Sequence, residues 1–75
     1  MFNKFEKRAL VYIKEDVEVG KDYGDIHVFD VQEPMIGMVG VITDIDGDAI
    51  KVGKFWWHKS CLRYVKYHVA GFLYA

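Results

Sequence analysis

Val39-Gly40-Val41-Ile42-Thr43-Asp44-Ile45-Asp46-Gly47-Asp48-Ala49-Ile50-Lys51-Val52 reads as a β-hairpin. Both arms are rich in β-branched residues, which strands favour. Between the arms lies Asp46-Gly47, a pair that tolerates the positive φ of a tight primed turn. A two-residue loop sets Val41 opposite Val52 and Thr43 opposite Ile50. Val41, Thr43, Ile45, Ile50 and Val52 then share one face, the expected core face, whereas a three-residue loop would shift the faces.

Working outward, Ala9-Leu10-Val11-Tyr12-Ile13-Lys14 is a first strand that the acidic pair Glu15-Asp16 ends. Residues 15–25 form a long acidic loop with Gly20 and Gly24, and Ile26-His27-Val28-Phe29 a short second strand. Residues 30–38 connect to the hairpin through a helical turn near Pro34-Met35. Ser60-Cys61-Leu62-Arg63 suits a tight turn or a 3₁₀ element, and Tyr64–Val69 alternates as a last strand. Asn3 and Glu6 match a capping-box spacing, so a short N-terminal helix or arm is the alternative at that end.

Seventy-five residues allow one domain, with a core over about residues 9–69 and an apolar tail at 70–75. Such a chain buries only ~60% of its unfolded surface, so its stability is small and each core side chain counts. The single Cys61 excludes an internal disulfide framework and fits a reducing compartment. The charged start, Met1-Phe2-Asn3-Lys4-Phe5-Glu6-Lys7-Arg8, lacks the pattern of an export signal. The charge-free run Pro34–Thr43 is too short to span a bilayer. The expectation is a cytoplasmic protein with no membrane partner.

Charge is unevenly divided. Residues 15–48 carry ten carboxylates against one base, Lys21, while residues 51–75 carry five bases and no carboxylate, for a net charge of −1 overall. The basic stretch interleaves Lys51, Lys54, Lys59, Arg63 and Lys66 with Phe55, Trp56, Trp57, Tyr64, Tyr67, Phe72 and Tyr74. A solvated face is the ordinary meaning of such a block; a field that selects partners is the sharper one.

Catalytic chemistry finds little support. Ser60 is the sole serine and Thr43 the sole threonine, and a Cys61–His58 pair three residues apart supplies neither an oriented base nor an oxyanion site. No glycine-rich loop opens a helix to cradle phosphate. Asp44, Asp46 and Asp48 lack the glycine and glutamate spacing of a calcium loop. His58, Cys61 and His68 are too few for a zinc site within one chain. The reading is therefore a non-enzyme with no metal and no cofactor, in which Cys61 is buried and His58 bonds locally.

Adjacent residues of a strand point to opposite faces, so one of Trp56 and Trp57 enters the core while the other reaches the surface. Trp57 is assigned to the core and Trp56 to the surface. An exposed Trp56 beside Lys54, His58, Lys59, Arg63 and Tyr64 makes these six the candidate binding residues, because tryptophan and arginine dominate binding hot spots. The favoured partner is a protein, held where the acidic loop 15–25 and the connection 30–38 frame a groove. Nucleic acid is the alternative: the basic residues would meet phosphates and the aromatics would stack on bases, against the opposition of the acidic half. The tail has three options: to pack back on the domain, to pair at a sheet edge, or to form a homo-oligomer contact.

Five short strands, a long loop after the first and a tight hairpin between the third and fourth outline a small SH3-like barrel. The stretch Ile13-Lys14-Glu15-Asp16-Val17-Glu18-Val19-Gly20-Lys21-Asp22-Tyr23-Gly24 resembles the opening of small SH3-like proteins encoded by phages and prophages of Gram-positive bacteria. Met35 or Met38, the Gly40-Val41-Ile42-Thr43-Asp44-Ile45 strand and Phe55-Trp56-Trp57-His58 occupy the places of that family's later motifs. The resemblance covers residues 11–65 and leaves Lys66–Ala75 outside it. It implies the fold and a phage context, in which the partner would be a host or phage protein, such as a defence factor. These motifs are structural and imply no assigned activity.

Overall fold

The computed structural model describes residues 5–66. Seven strands follow in chain order: β1 (Leu10–Ile13), β2 (Asp22–Tyr23), β3 (Ile26–His27), β4 (Val39–Asp46), β5 (Ala49–Val52), β6 (Phe55–His58) and β7 (Leu62–Lys66). Two 3₁₀ turns, Asp30–Met35 and Lys59–Cys61, complete the architecture. The fold is all-β. Five strands form one antiparallel sheet in the order β6-β5-β4-β1-β7, and β2 and β3 pair as a separate ribbon. Among the described residues neither sheet closes on itself. The expected five strands thus become seven: Asp22–Tyr23 makes a ribbon of the loop after β1, and Phe55–His58 adds the edge strand of the main sheet.

Three hairpins share one turn chemistry. Tyr23 pairs with Ile26, Asp46 with Ala49, and Val52 with Phe55, leaving Gly24-Asp25, Gly47-Asp48 and Gly53-Lys54 as the central residues. Each glycine sits at positive φ (61°, 63° and 64°), at the first central position, as a II′ turn demands. This shifts the central hairpin by one residue from its expected register. Asp46 belongs to the strand, not to the turn.

A bulge then corrects the faces. The register slips between Ile42 and Asp44, so Ile42, not Val41 or Thr43, lies opposite Val52 in the core. Thr43 is exposed, and its hydroxyl lies 3.0 Å from the Gly53 carbonyl oxygen and 3.3 Å from that of Lys51. A hydroxyl that satisfies itself on the neighbouring strand's backbone favours the outside. The expected inward placement of Val41 and Thr43 is therefore corrected.

The core gathers Val11, Ile13, Val28, Ile42, Ile50, Val52, Cys61 and Leu62 around Trp57, which is fully buried. Alternation along β6 puts Phe55 and Trp57 on this side and Trp56 and His58 on the other, as the sequence indicates. Opposite Val11, Gly40 leaves room for Val52: a Cβ on Gly40 would come 2.5 Å from Val52 Cγ1. Phe5 packs against the core, but residues 5–9 are not helical. Ala9 N–H donates to the Glu6 carbonyl in a single turn, and Arg8 takes φ 75°. So short a segment gains too few hydrogen bonds to offset helix nucleation. The last strand runs over Leu62–Lys66 instead of starting at Tyr64, and the expectations for residues 67–75 lie outside the described residues.

Candidate binding groove

Gln32 is the one buried polar side chain among the described residues, at 2% exposure. Its Oε1 accepts from Phe29 N–H at 3.0 Å and its Nε2 donates to the Trp56 carbonyl at 3.2 Å. The first bond closes the 3₁₀ turn. The second fastens that turn to β6, the edge of the main sheet, and satisfies a carbonyl that no further strand reaches. Buried amides are stable only when bonded in this way.

The ribbon is held to the same strand. Gly24, at its tip, touches His58: a Cβ there would fall 2.6 Å from the imidazole ring. The long excursion between β1 and β4 is thereby pinned at two points along β6.

Between ribbon, 3₁₀ turn and β6 lies a groove of about 460 Å³. Ile26, Phe29, Phe55 and Trp56 give it apolar walls, and Asp25, Asp46 and Lys54 bring charge to it. Phe29 is 58% exposed and meets the His27 ring edge-on at a centroid distance of 4.6 Å. Trp56 is half-buried, and the Lys51 ammonium lies 5.9 Å from the centre of its ring.

Of the six candidate binding residues, only Trp56 and Lys54 line this groove. His58 is occupied locally, its Nδ1 accepting from Ser60 N–H at 3.1 Å to cap the second 3₁₀ turn. Lys59 pairs with Asp48 at 3.2 Å. Arg63 and Tyr64 lie on β7, at the far end of the strand order from β6, where the Arg63 guanidinium stacks over Tyr12 at 4.7 Å. The basic aromatic stretch is thus one patch in sequence and two in space. Asp25, Ile26, Phe29, Gln32 and Asp46, absent from the six, join Trp56 instead. The expected frame, the acidic loop 15–25 and the connection 30–38, contains Asp25 and Gln32 without singling out either, and Ile26, Phe29 and Asp46 lie outside it.

Part of the charge division is settled internally, through Lys59–Asp48 and Lys7–Asp44 (3.7 Å). Both pairs are exposed and contribute at most about 1 kcal/mol each. Cys61 is buried in the core at the end of the second 3₁₀ turn, and burial pushes its thiol up from the ordinary value of 9.0, against hydrogen bonds from the His58 backbone and Ser60 side chain that lower it. Among the described residues no three His, Cys, Asp or Glu side chains converge as a metal site, and no helix is long and apolar enough to cross a membrane. Compared with family models, curated proteins and solved structures, the chain has no match.

Proposed function

We propose that this chain is a small SH3-like barrel of phage or prophage origin that works as a non-enzymatic protein-interaction module in the host cytoplasm. Its partner is a host or phage protein, bound through an exposed segment that inserts an apolar side chain between Phe29 and Trp56 and carries a lysine or arginine beside it. The observation that carries this reading is the company Trp56 keeps: an apolar groove bordered by Asp25 and Asp46. Neither carboxylate has an ion-pair partner among the described residues, so both are available to a cationic group. The strand order, the excursion between β1 and β4 and the 3₁₀ turn before β7 support the SH3-like reading.

The same features weigh against nucleic acid at this site. Phosphate is repelled by Asp25 and Asp46, and Lys59 is already paired. Nuclease-treated lysates passed over immobilised wild-type and Trp56→Ala protein provide the test. A partner protein is identified and reduced to its binding peptide, and that peptide is titrated against both proteins. Retention of a cationic, apolar peptide that binds Trp56→Ala at least tenfold more weakly supports the proposal. Equal binding by the two proteins, or retention of nucleic acid alone in untreated lysate, overturns it.

A further inference from the structure

Charge is sorted by sign along the groove, and the strand register shows how. Asp46 pairs with Ala49 and Ala49 with His58, so these three form one row across β4, β5 and β6. Gly24 touches the His58 ring, which brings the adjacent Asp25 of the ribbon tip to the same row. Both groove carboxylates therefore stand at the His58 end. Lys54 stands at the other end, in the turn that the Val52–Phe55 pair closes. From Ala49 to Val52 is three residue steps, about 10 Å. Trp56 lies between the two ends, its carbonyl fastened by Gln32.

Lys54 is exposed and, like Asp25 and Asp46, has no ion-pair partner among the described residues, whereas Lys7 and Lys59 are matched. An apolar groove with two unmatched carboxylates at one end and an unmatched ammonium at the other is complementary to a ligand of the opposite polarity. A segment carrying only positive charge satisfies one end and sets its remaining charge against Lys54. Like charges brought together across an interface cost affinity.

We propose that the groove recognises a segment of mixed charge: a basic side chain for Asp25 and Asp46, an apolar one for Phe29 and Trp56, and a carboxylate for Lys54. The inference rests on the groove being the binding site, and it adds the acidic residue and its position to what that site takes. In an extended segment, residues i, i+2 and i+4 share one face and span about 13 Å. Basic, apolar and acidic residues at those positions follow the order of the groove, and the flexible stem of Lys54 spans the remainder.

The probe is the synthetic peptide acetyl-Ser-Arg-Ser-Leu-Ser-Glu-Ser-amide, titrated against the full chain while the Trp56 indole N–H is followed by NMR. Two counterparts carry glutamine or lysine in place of the glutamate. The glutamate peptide is expected to bind about threefold to fivefold more tightly than the glutamine one, the scale of an exposed ion pair. In Lys54→Glu the preference is expected to pass to the lysine peptide. Lys54 is exposed in a turn, so this variant keeps the core intact. Equal affinity of the glutamate and glutamine peptides, both shifting Trp56, overturns the mixed-charge inference and leaves the cationic reading of the groove standing. A preference for glutamate that survives Lys54→Glu overturns it as well. No shift of Trp56 by any of the three peptides overturns it and counts against the groove itself.

Discussion

Gln32 donates to the carbonyl of Trp56 across 24 residues of sequence, and this bond joins two walls of the groove. The amide fixes the 3₁₀ turn bearing Phe29 at one wall and the backbone of Trp56 at the other. Replacing Gln32 by Ala leaves Phe29 N–H and the Trp56 carbonyl without their partner. An unsatisfied buried group costs about 1–3 kcal/mol. Chemical denaturation of Gln32→Ala is expected to show a loss of that size. An unchanged midpoint would show that water replaces the amide without cost.

The contact between Gly40 and Val52 makes a second, sharper case. Alanine at position 40 would drive its Cβ to 2.5 Å from Cγ1 of Val52, a fully buried side chain, so one of the two must shift. Overpacking of this kind costs about 1–3 kcal/mol. The double variant Gly40→Ala/Val52→Ala removes the clash, so the two substitutions are expected to couple favourably in a thermodynamic cycle. Strict additivity of the single effects, read from urea melts, would contradict the packing described.

Alternation made much of this legible. Trp56 and Trp57 had to face opposite ways on a strand, and the larger apolar neighbours Ile50 and Val52 drew Trp57 inward. The glycine turns were equally visible as turns. Their register was not, because Asp46-Gly47 and Gly47-Asp48 both satisfy the local chemistry and only the pairing decides. At the bulge the Thr43 hydroxyl bonds to the next strand's backbone, a pairing between strands that no local pattern encodes. Neighbours in sequence also misled: Lys59 and Arg63 stand close to Trp56 along the chain, yet the turn at Lys59–Cys61 carries Arg63 to the other end of the strand order. Gln32 gave no signal, since a lone glutamine in a polar loop is ordinarily exposed.

Cys61 sets a pH dependence whose sign follows from its burial. Its thiol is raised in the folded state above the ordinary 9.0, so the unfolded chain ionises first as pH increases. The contribution of the buried thiol is full below that ordinary value and is lost as pH climbs through the folded one. Stability measured from pH 7 to 10.5 is therefore expected to decline less steeply in Cys61→Ala than in the parent, although the variant is less stable at neutral pH. Identical alkaline slopes would mean that other groups govern the decline. The same burial predicts slow reaction of the native thiol with disulfide reagents.

Charge at the groove yields the last prediction. Asp25 and Asp46 border Trp56 without ion-pair partners among the described residues, whereas Asp44 and Asp48 are already matched to Lys7 and Lys59. A cationic partner peptide should therefore weaken on Asp25→Asn and on Asp46→Asn, while Asp44→Asn leaves it nearly unchanged. Each effective neutralisation should cost a few-fold in affinity at physiological salt and more at low salt, where screening is weaker. The loss should appear mainly in the association rate, because rim charges steer encounter, whereas Trp56→Ala should act on dissociation. Surface plasmon resonance across ionic strength separates the two effects. A peptide whose association rate ignores both salt and these carboxylates would place the recognised cation elsewhere on the molecule.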